Sequence, residues 1–202
     1  MLQAAASSKA PITCSIASDP LTILAARQLC HDVYLKMGYI DSPYPSRIIP
    51  RACEWADTYG VARDAAGSLV GTIRMSEGAP LSVLRPWKGK LFPQHAELLK
   101  AARRSPCFAI GALAVNKSCA PLRISQVLYI AAYQWALTTG KDYGIITMDT
   151  RALRALRLAG WNAITVGEPI YYLGSLTTPA LIPIHEQVFA STHPETTGQL
   201  AA

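Results

Sequence analysis

The stretch CFAIGALAV-NKSCAPLRIS-QVLYIAAYQWALTTG-KDYGIITMDT, residues 107–150, decides the fold. Its first nine residues, Cys107–Val115, are largely apolar and predict a buried strand, and the polar, proline-interrupted residues that follow predict a loop. From Leu122 the apolar residues fall at helical spacing until Gly140, and Tyr143–Met148 reads as a second strand. A strand–loop–helix–strand order is typical of two parallel strands. The loop meets the start of the helix, where free backbone N–H groups can hold an anion or a polar carrier chain.

The segments on either side extend this unit into an α/β (α+β) fold, with a central mixed β-sheet flanked by helices. Before it we expect an edge strand at Pro11–Ala17 and a helix that Asp19 caps and Gly38 ends. A proline-rich loop at 41–53, which could serve as a lid, comes next. A hairpin of Asp57–Arg63 and Leu69–Met75 follows, and then helical character at Gln94–Arg103. After it we expect a short helix, Arg151–Ala159, capped by Thr150, and strands at Ala163–Val166, Ile170–Leu173 and Leu181–Ile184. One domain over 11–190, with flexible termini at 1–10 and 191–202, is the simplest organisation.

Composition narrows the class of protein. The chain has 202 residues, a formal charge of +6 and five cysteines. The cysteines show no CxxC or Cys/His spacing, so we expect reduced thiols in a cytoplasmic protein and no metal site. No apolar run reaches the roughly 18 residues of a membrane span, and the N-terminus lacks a signal-peptide pattern. The basic residues are dispersed rather than clustered with aromatic residues, which disfavours a nucleic-acid partner.

Several segments match a known family in sequence pattern. They are Arg27 and Tyr34 followed by Gly38–Ile40, the tetrapeptide Gly71–Arg74, the strand Ile110–Val115, and Thr150–Trp161 followed by Val166–Pro169. The pattern resembles the GNAT-type N-acyltransferase fold and, within it, the autoinducer (acyl-homoserine-lactone) synthases and the N-acyl amino acid synthases. The resemblance covers about residues 20–186 and implies transfer of an acyl group to an amine.

The chain departs from this family in ways that bear on the acyl donor. The usual acetyl-CoA signature, R/Q-x-x-G-x-G/A, is absent, because Ser118–Ser125 contains no glycine. The resemblance therefore implies an acyl-phosphopantetheine donor on acyl carrier protein rather than CoA, and no tightly bound cofactor. Ala109 and Ala112 stand where many autoinducer synthases have charged residues, and Leu156 stands where many GNAT enzymes have a tyrosine.

Acyl transfer from a thioester needs a neutral amine, donors for the developing oxyanion and a stabilised thiolate. A central strand that diverges from its neighbour can supply the donors, and we assign the backbone N–H groups of Ala112, Leu113, Ala114 and Val115 to binding the substrate. The small residues Gly111 and Ala112 also allow a pantetheine chain close to the backbone. The alternative is that they only pack beneath a helix.

Charged residues around the hairpin suggest how an acceptor is held. Glu54 and Asp57 precede or begin its first strand, and the resemblance gives Arg74, on the second strand, a role in organising the site. Either carboxylate could accept a proton through water or hold the acceptor's ammonium group, so both are candidate catalytic residues. Arg74 could bind an acceptor carboxylate with two hydrogen bonds. The alternative is a structural cross-strand ion pair.

Basic residues could also bind an acidic acyl carrier protein. Arg151, Arg154 and Arg157 recur on one edge of the last helix. The predicted docking set is Lys117, Arg123, Arg151 and Arg154, with Arg103 and Arg104 as further candidates. A solvated basic face explains the same residues.

The sequence thus favours an N-acyltransferase that moves a medium- or long-chain fatty acyl group from acyl carrier protein to an amino acid amine. Two alternatives stay open. One is acyl-homoserine-lactone synthesis from S-adenosylmethionine, and the other is a catalytically inactive sensor of acyl carrier or acyl ligand.

Overall fold

A mixed sheet of eight strands runs through the residues that the computed structural model describes, which are 11–50, 56–116 and 121–186. The strands are β1 (Thr13–Ile16), β2 (Asp57–Arg63), β3 (Leu69–Ser76), β4 (Cys107–Val115), β5 (Tyr143–Asp149), β6 (Ile164–Thr165), β7 (Ile170–Tyr172) and β8 (Ser175–Pro183). The α-helices are α1 (Pro20–Lys36), α2 (Ala96–Arg104), α3 (Pro121–Thr138) and α4 (Thr150–Leu158), and 3₁₀ helices cover Pro80–Trp87 and Pro93–His95.

The strand order is β1-β2-β3-β4-β5-β8-β6, with β7 also paired to β8. Every pairing is antiparallel except that between β4 and β5, which are parallel. The expected parallel unit, the hairpin of β2 and β3, and the mixed sheet flanked by helices are therefore confirmed.

Helix ends follow from the capping residues, although one cap is not the residue we predicted. The Asp19 carboxylate accepts the N–H of Thr22 at 2.8 Å and begins α1. At the start of α4 the predicted cap, Thr150, is wrong. Asp149 caps this helix instead, because its Oδ1 accepts the N–H groups of Arg151 and Ala152. The Thr150 hydroxyl is used elsewhere, donating to the carbonyl of Leu176 in β8.

The last strands differ most from the prediction. We expected a short strand at Leu181–Ile184, but β8 begins at Ser175 and lies inside the sheet, between β5 and β6. Its prolines, Pro179 and Pro183, argue against a central strand in sequence, since proline lacks the N–H of the ladder. A tight turn with positive φ at Leu173 and Gly174 joins β7 to β8. A Cβ at Gly174 would lie 2.8 Å from the Gly38 carbonyl oxygen, so only glycine allows this turn to approach the end of α1.

The two faces of the sheet are covered by different helices. On one face, α3 and α4 bury Ile124, Leu128 and Leu153 against Phe108 and Ile110 of β4. On the other face lie α1, α2 and the 3₁₀ helix Pro80–Trp87. None of the helices in the described ranges is long and apolar enough to cross a membrane.

Candidate functional site

The site begins where β4 and β5 diverge. Cys107–Ile110 of β4 pair with Tyr143–Ile146 of β5. The pairing stops after the pair formed by Ile110 and Ile146. Beyond this point β4 stays paired with β3, and β5 with β8, so each strand is held by its outer neighbour. The edges that face one another are no longer joined. The result is a cleft between two parallel strands, and of the four predicted β4 residues Ala112 and Leu113 line its cavity, while Ala114 and Val115 continue the strand opposite Thr72 and Gly71.

A β-bulge lies on the β4 wall of this cleft. One residue of β3, Ile73, faces two residues of β4, Ala112 and Leu113. Ala112 adopts φ +49°, a value that is uncommon for residues other than glycine. Bulges redirect the backbone and its side chains, and strained residues of this kind concentrate at functional sites.

The cleft contains a cavity of about 210 Å³ that is open to solvent on one side. Its buried lining residues include the largely apolar Ile110, Ile146 and Tyr129 of α3, and Met148 lies beside the Tyr129 hydroxyl. The other lining residues come from the end of α1, β4, β5, α4 and the β7–β8 turn: Tyr34, Tyr39, Gly111, Ala112, Leu113, Thr147, Asp149, Ala152, Tyr172, Leu173, Ser175 and Thr177. Tyr129 is 6% exposed, its burial raises the pKa of its hydroxyl, and that hydroxyl lies 4.0 Å from the Met148 sulfur.

Two of the predicted acceptor residues, Arg74 and Asp57, lie together beside the cleft. Nε of Arg74 is 3.9 Å from Oδ1 of Asp57, whose side chain is 1% exposed. The guanidinium group covers Gly111, so that a Cβ at Gly111 would lie 2.8 Å from Nη2. Because Gly111 also lines the cavity, Arg74 is next to the space where a substrate would lie. Glu54 lies outside the described residues.

The predicted carrier-docking residues fall into separate regions. Arg151 and Arg154 are exposed on α4, and Arg123 lies in the first turns of α3. Both helices begin at the edge of the sheet where β4 and β5 end, which is also the edge that holds the cleft. Arg103 and Arg104, in contrast, precede the start of β4, at the opposite edge. Lys117 lies outside the described residues.

Arg157, the third arginine on the basic edge of the last helix, forms hydrogen bonds within the protein. Arg157 donates to the Ala163 carbonyl at 2.8 and 2.6 Å and also bonds Thr165, which ties α4 to β6. It borders a second cavity of about 340 Å³ between α4 and β8. No diverging strand pair opens there, so this cavity lacks the free backbone edge that the cleft provides.

Part of the proline-rich loop is anchored to α1. The Tyr44 N–H donates to Nε2 of His31 at 3.1 Å, and Nδ1 of His31 is 2.9 Å from Oδ1 of Asp32. Because Nε2 accepts a hydrogen bond, we assign the proton of the neutral ring to Nδ1. Asp32 also pairs with Arg47, and the hydrogen bond from Arg47 is the main cause that lowers the pKa of this carboxyl group.

The structure adds residues that the sequence analysis did not select. Asp149, Tyr129 and Tyr172 line the cleft, although none of them was a candidate site residue. Asp149 carried a usable signal, since it ends a strand of the parallel pair. Ligands in sheets with parallel strands bind beyond the carboxyl ends of those strands.

At the level of sequence the chain matches no protein-family profile and no curated protein. Solved structures do match over most of their length, among them the following three. FeeM, an N-acyl amino acid synthase from uncultured soil microbes, is 17% identical, with 88% of this chain and 93% of FeeM covered and a TM-score of 0.59. The AHL synthase LasI is 13% identical, with 87% and 91% covered and a TM-score of 0.65. BjaI, a CoA-dependent acyl-homoserine lactone synthase, is 17% identical, with 87% and 85% covered and a TM-score of 0.67.

The chain has the fold of these synthases. The GNAT-like fold that the sequence motifs predicted is confirmed. Identities of 13% and 17% extend this likeness to the fold alone, so the chemistry must be argued from the cleft itself.

Proposed function

We propose that this protein is an N-acyltransferase that moves a medium- or long-chain fatty acyl group from acyl carrier protein to the amine of an amino acid, in the cytoplasm. The observation that carries the proposal is the divergence of β4 from β5 after Ile110 and Ile146. A phosphopantetheine arm is extended and rich in amides, so it can bond the open strand edge as an added strand would. The apolar depth of the cavity then receives the acyl chain.

Each wall of the cleft has a part in this reaction. Backbone N–H groups among Ala112–Val115 would stabilise the oxyanion that forms when an amine attacks the thioester. Arg74, beside Gly111, would bind the acceptor's carboxylate with two hydrogen bonds. The almost fully buried Asp57 carboxylate, close to Arg74, supports a role in positioning that guanidinium group. The catalytic role of Glu54 stays a prediction.

Charge and sequence support acyl carrier protein as the donor. Arg151 and Arg154 are exposed at the edge of the sheet where the cleft opens, and Arg123 lies in the first turn of the neighbouring helix. With Lys117 they would attract an acidic carrier to the cleft. BjaI, which has this fold, is named a CoA-dependent acyl-homoserine lactone synthase, so CoA is the competing donor. The lack of glycine at 118–125 favours the carrier, because a glycine-rich loop commonly wraps a pyrophosphate.

The function is tested by measuring thiol release from fatty acyl carrier protein and from acetyl-CoA, with each standard amino acid as acceptor. We expect release from the acyl carrier only, together with a product whose mass equals that of an N-acyl amino acid. Preference for acetyl-CoA would contradict the donor assignment. A lactone formed from S-adenosylmethionine would support the autoinducer synthases, and tight binding of acyl carrier without thiol release would support a sensor.

The role of Arg74 is tested separately by Arg74→Lys. Lysine keeps the charge but cannot form the two-pronged pair, so the acceptor KM should rise while the donor KM stays unchanged. Arg63→Lys is the matched control, since Arg63 lies on β2 and bonds the Gly67 carbonyl in the hairpin turn. A folded Arg74→Lys protein with an unchanged acceptor KM would show that the arginine is structural.

A further inference from the structure

A single carboxylate is found among the described residues that line the cleft, and it belongs to Asp149. Its Oδ1 accepts the N–H groups of Arg151 at 2.9 Å and Ala152 at 3.3 Å, which fixes the side chain against the start of α4. These hydrogen bonds leave Oδ2 unused, and none from elsewhere in the described ranges ends on Asp149. The carboxylate is thus held in place by one oxygen, with the other available.

Asp149 stands on the wall opposite the proposed oxyanion site. Ile110 and Ile146 form the last pair of the parallel strands, and beyond it Ala112 and Leu113 of β4 and Asp149 of β5 all line the same cavity. The Asp149 side chain therefore shares this cavity with β4 residues that would bind the thioester carbonyl.

The negative charge of Asp149 reaches the mouth of the cleft. Burial raises the pKa of Tyr39, and the charge of Asp149 raises it further. Tyr39 and Tyr34 form the α1 side of the mouth, with their rings 5.3 Å apart. No lysine, arginine or histidine is among the described lining residues, and the Arg74 guanidinium group beside Gly111 faces the Asp57 carboxylate, so Asp149 supplies the negative charge of the lining itself.

Resting on the function proposed above, we propose that Asp149 binds the ammonium group of the acceptor and holds its nitrogen toward the thioester carbonyl. An amino acid arrives as an ammonium ion, and one of its protons passes to solvent before the attack. The neutral nitrogen then forms the C–N bond and gives up a second proton as it becomes an amide nitrogen, while the C–S bond breaks and the pantetheine leaves as a thiolate that takes up one proton, so that one proton is released overall. Asp149 itself is unchanged at the end of the cycle.

The substitution Asp149→Asn separates this role from helix capping. Asparagine caps a helix as well as aspartate does, so α4 should keep its start, while the negative charge is lost. We expect the acceptor KM to rise roughly 10- to 100-fold, the range for a hydrogen bond between charged groups, with an unchanged donor KM. Asp142→Asn is the matched control, because Asp142 lies just before β5, at the strand end away from the cleft.

Hydroxylamine serves as a second acceptor, because it is uncharged at neutral pH and gains nothing from a carboxylate. Hydroxylamine also cleaves thioesters by itself, so the rate without protein is subtracted; after that subtraction Asp149→Asn should turn over hydroxylamine as fast as the wild-type protein, with slower turnover confined to the best standard amino acid. The comparison of the two acceptors within one variant remains informative even if the substitution lowers the amount of folded protein. Unfolding would reduce the rates with both acceptors by the same factor.

The possible outcomes separate the inference from the function on which it rests. An unchanged acceptor KM in Asp149→Asn, or equal losses with both acceptors, would show that Asp149 only caps α4, while N-acyl transfer by the wild-type protein would still stand. If the wild-type protein acylates no amine at all, the proposed function fails, and the role of Asp149 fails with it.

Discussion

Replacing Gly111 by alanine should move Arg74 without disturbing the sheet. The new Cβ would lie 2.8 Å from Nη2 of Arg74, and the next nearest atom within 4 Å is Cζ of the same guanidinium group at 3.7 Å. The group in the way is therefore the far end of a flexible side chain. Gly111 does not have positive φ, so alanine fits its backbone conformation.

The size of the effect follows from these distances. Non-bonded heavy atoms are most favourable at about 3.5–4.0 Å, so the guanidinium group must withdraw by roughly 0.7–1.2 Å. A charged N–H···O bond has a length of about 2.7–2.9 Å, and a shift of this size breaks a two-pronged pair with a carboxylate. Loss of a charged hydrogen bond costs about 1.5–3 kcal/mol, or roughly a 10- to 100-fold rise in acceptor KM.

The assay is steady-state thiol release with varied acceptor, combined with thermal unfolding. We expect Gly111→Ala to raise the acceptor KM, to leave the donor KM unchanged and to change the free energy of unfolding by less than about 1 kcal/mol. In an Arg74→Ala background the same change should have no further effect on acceptor KM, because the two substitutions act through one guanidinium group. Additive effects, or an unchanged acceptor KM in the single variant, would refute this reasoning.

Three further predictions concern the donor side and the loop. Arg154→Glu should slow turnover with acyl carrier protein but not with a small acyl-pantetheine. Arg104→Glu, at the opposite edge of the sheet, should leave both rates unchanged. Added salt should reduce the difference in rate between Arg154→Glu and the wild-type protein with acyl carrier protein. Tyr129→Leu should shift the preferred acyl chain to greater length in a series of acyl carrier thioesters, and it should lower the free energy of unfolding because the lost ring leaves a void. In the wild-type protein the hydrogen bond from Arg47 lowers the pKa of the Asp32 carboxyl group from 3.8, and Asp32→Asn removes this ion pair. The stability from that pair is present above pH 4 and is lost as pH falls through the lowered pKa, so the Tm difference from wild type should be widest at neutral pH and vanish in strong acid.

The local patterns in the sequence determined much of this protein. The apolar run Cys107–Val115 is β4 residue for residue, and the helical spacing after it is α3. Asp19 begins the first helix as predicted. Caps, periodicity and turn residues act over a few positions, so the chain carries this information wherever it folds.

Tertiary structure decided what depends on contacts between distant segments. Pro179 made β8 look unlike an inner strand, yet the pairing of β8 with β5 holds Thr147–Asp149 away from β4 and so opens the cleft. That pairing also helps to place Asp149 in the same cavity as Leu113, which lies 36 positions earlier in the chain. In the sequence Asp149 is only the end of a strand, but in the folded protein it is the carboxylate of the cleft. Strand pairing brings together residues that are far apart in the chain, and a local sequence pattern contains no information about such pairs.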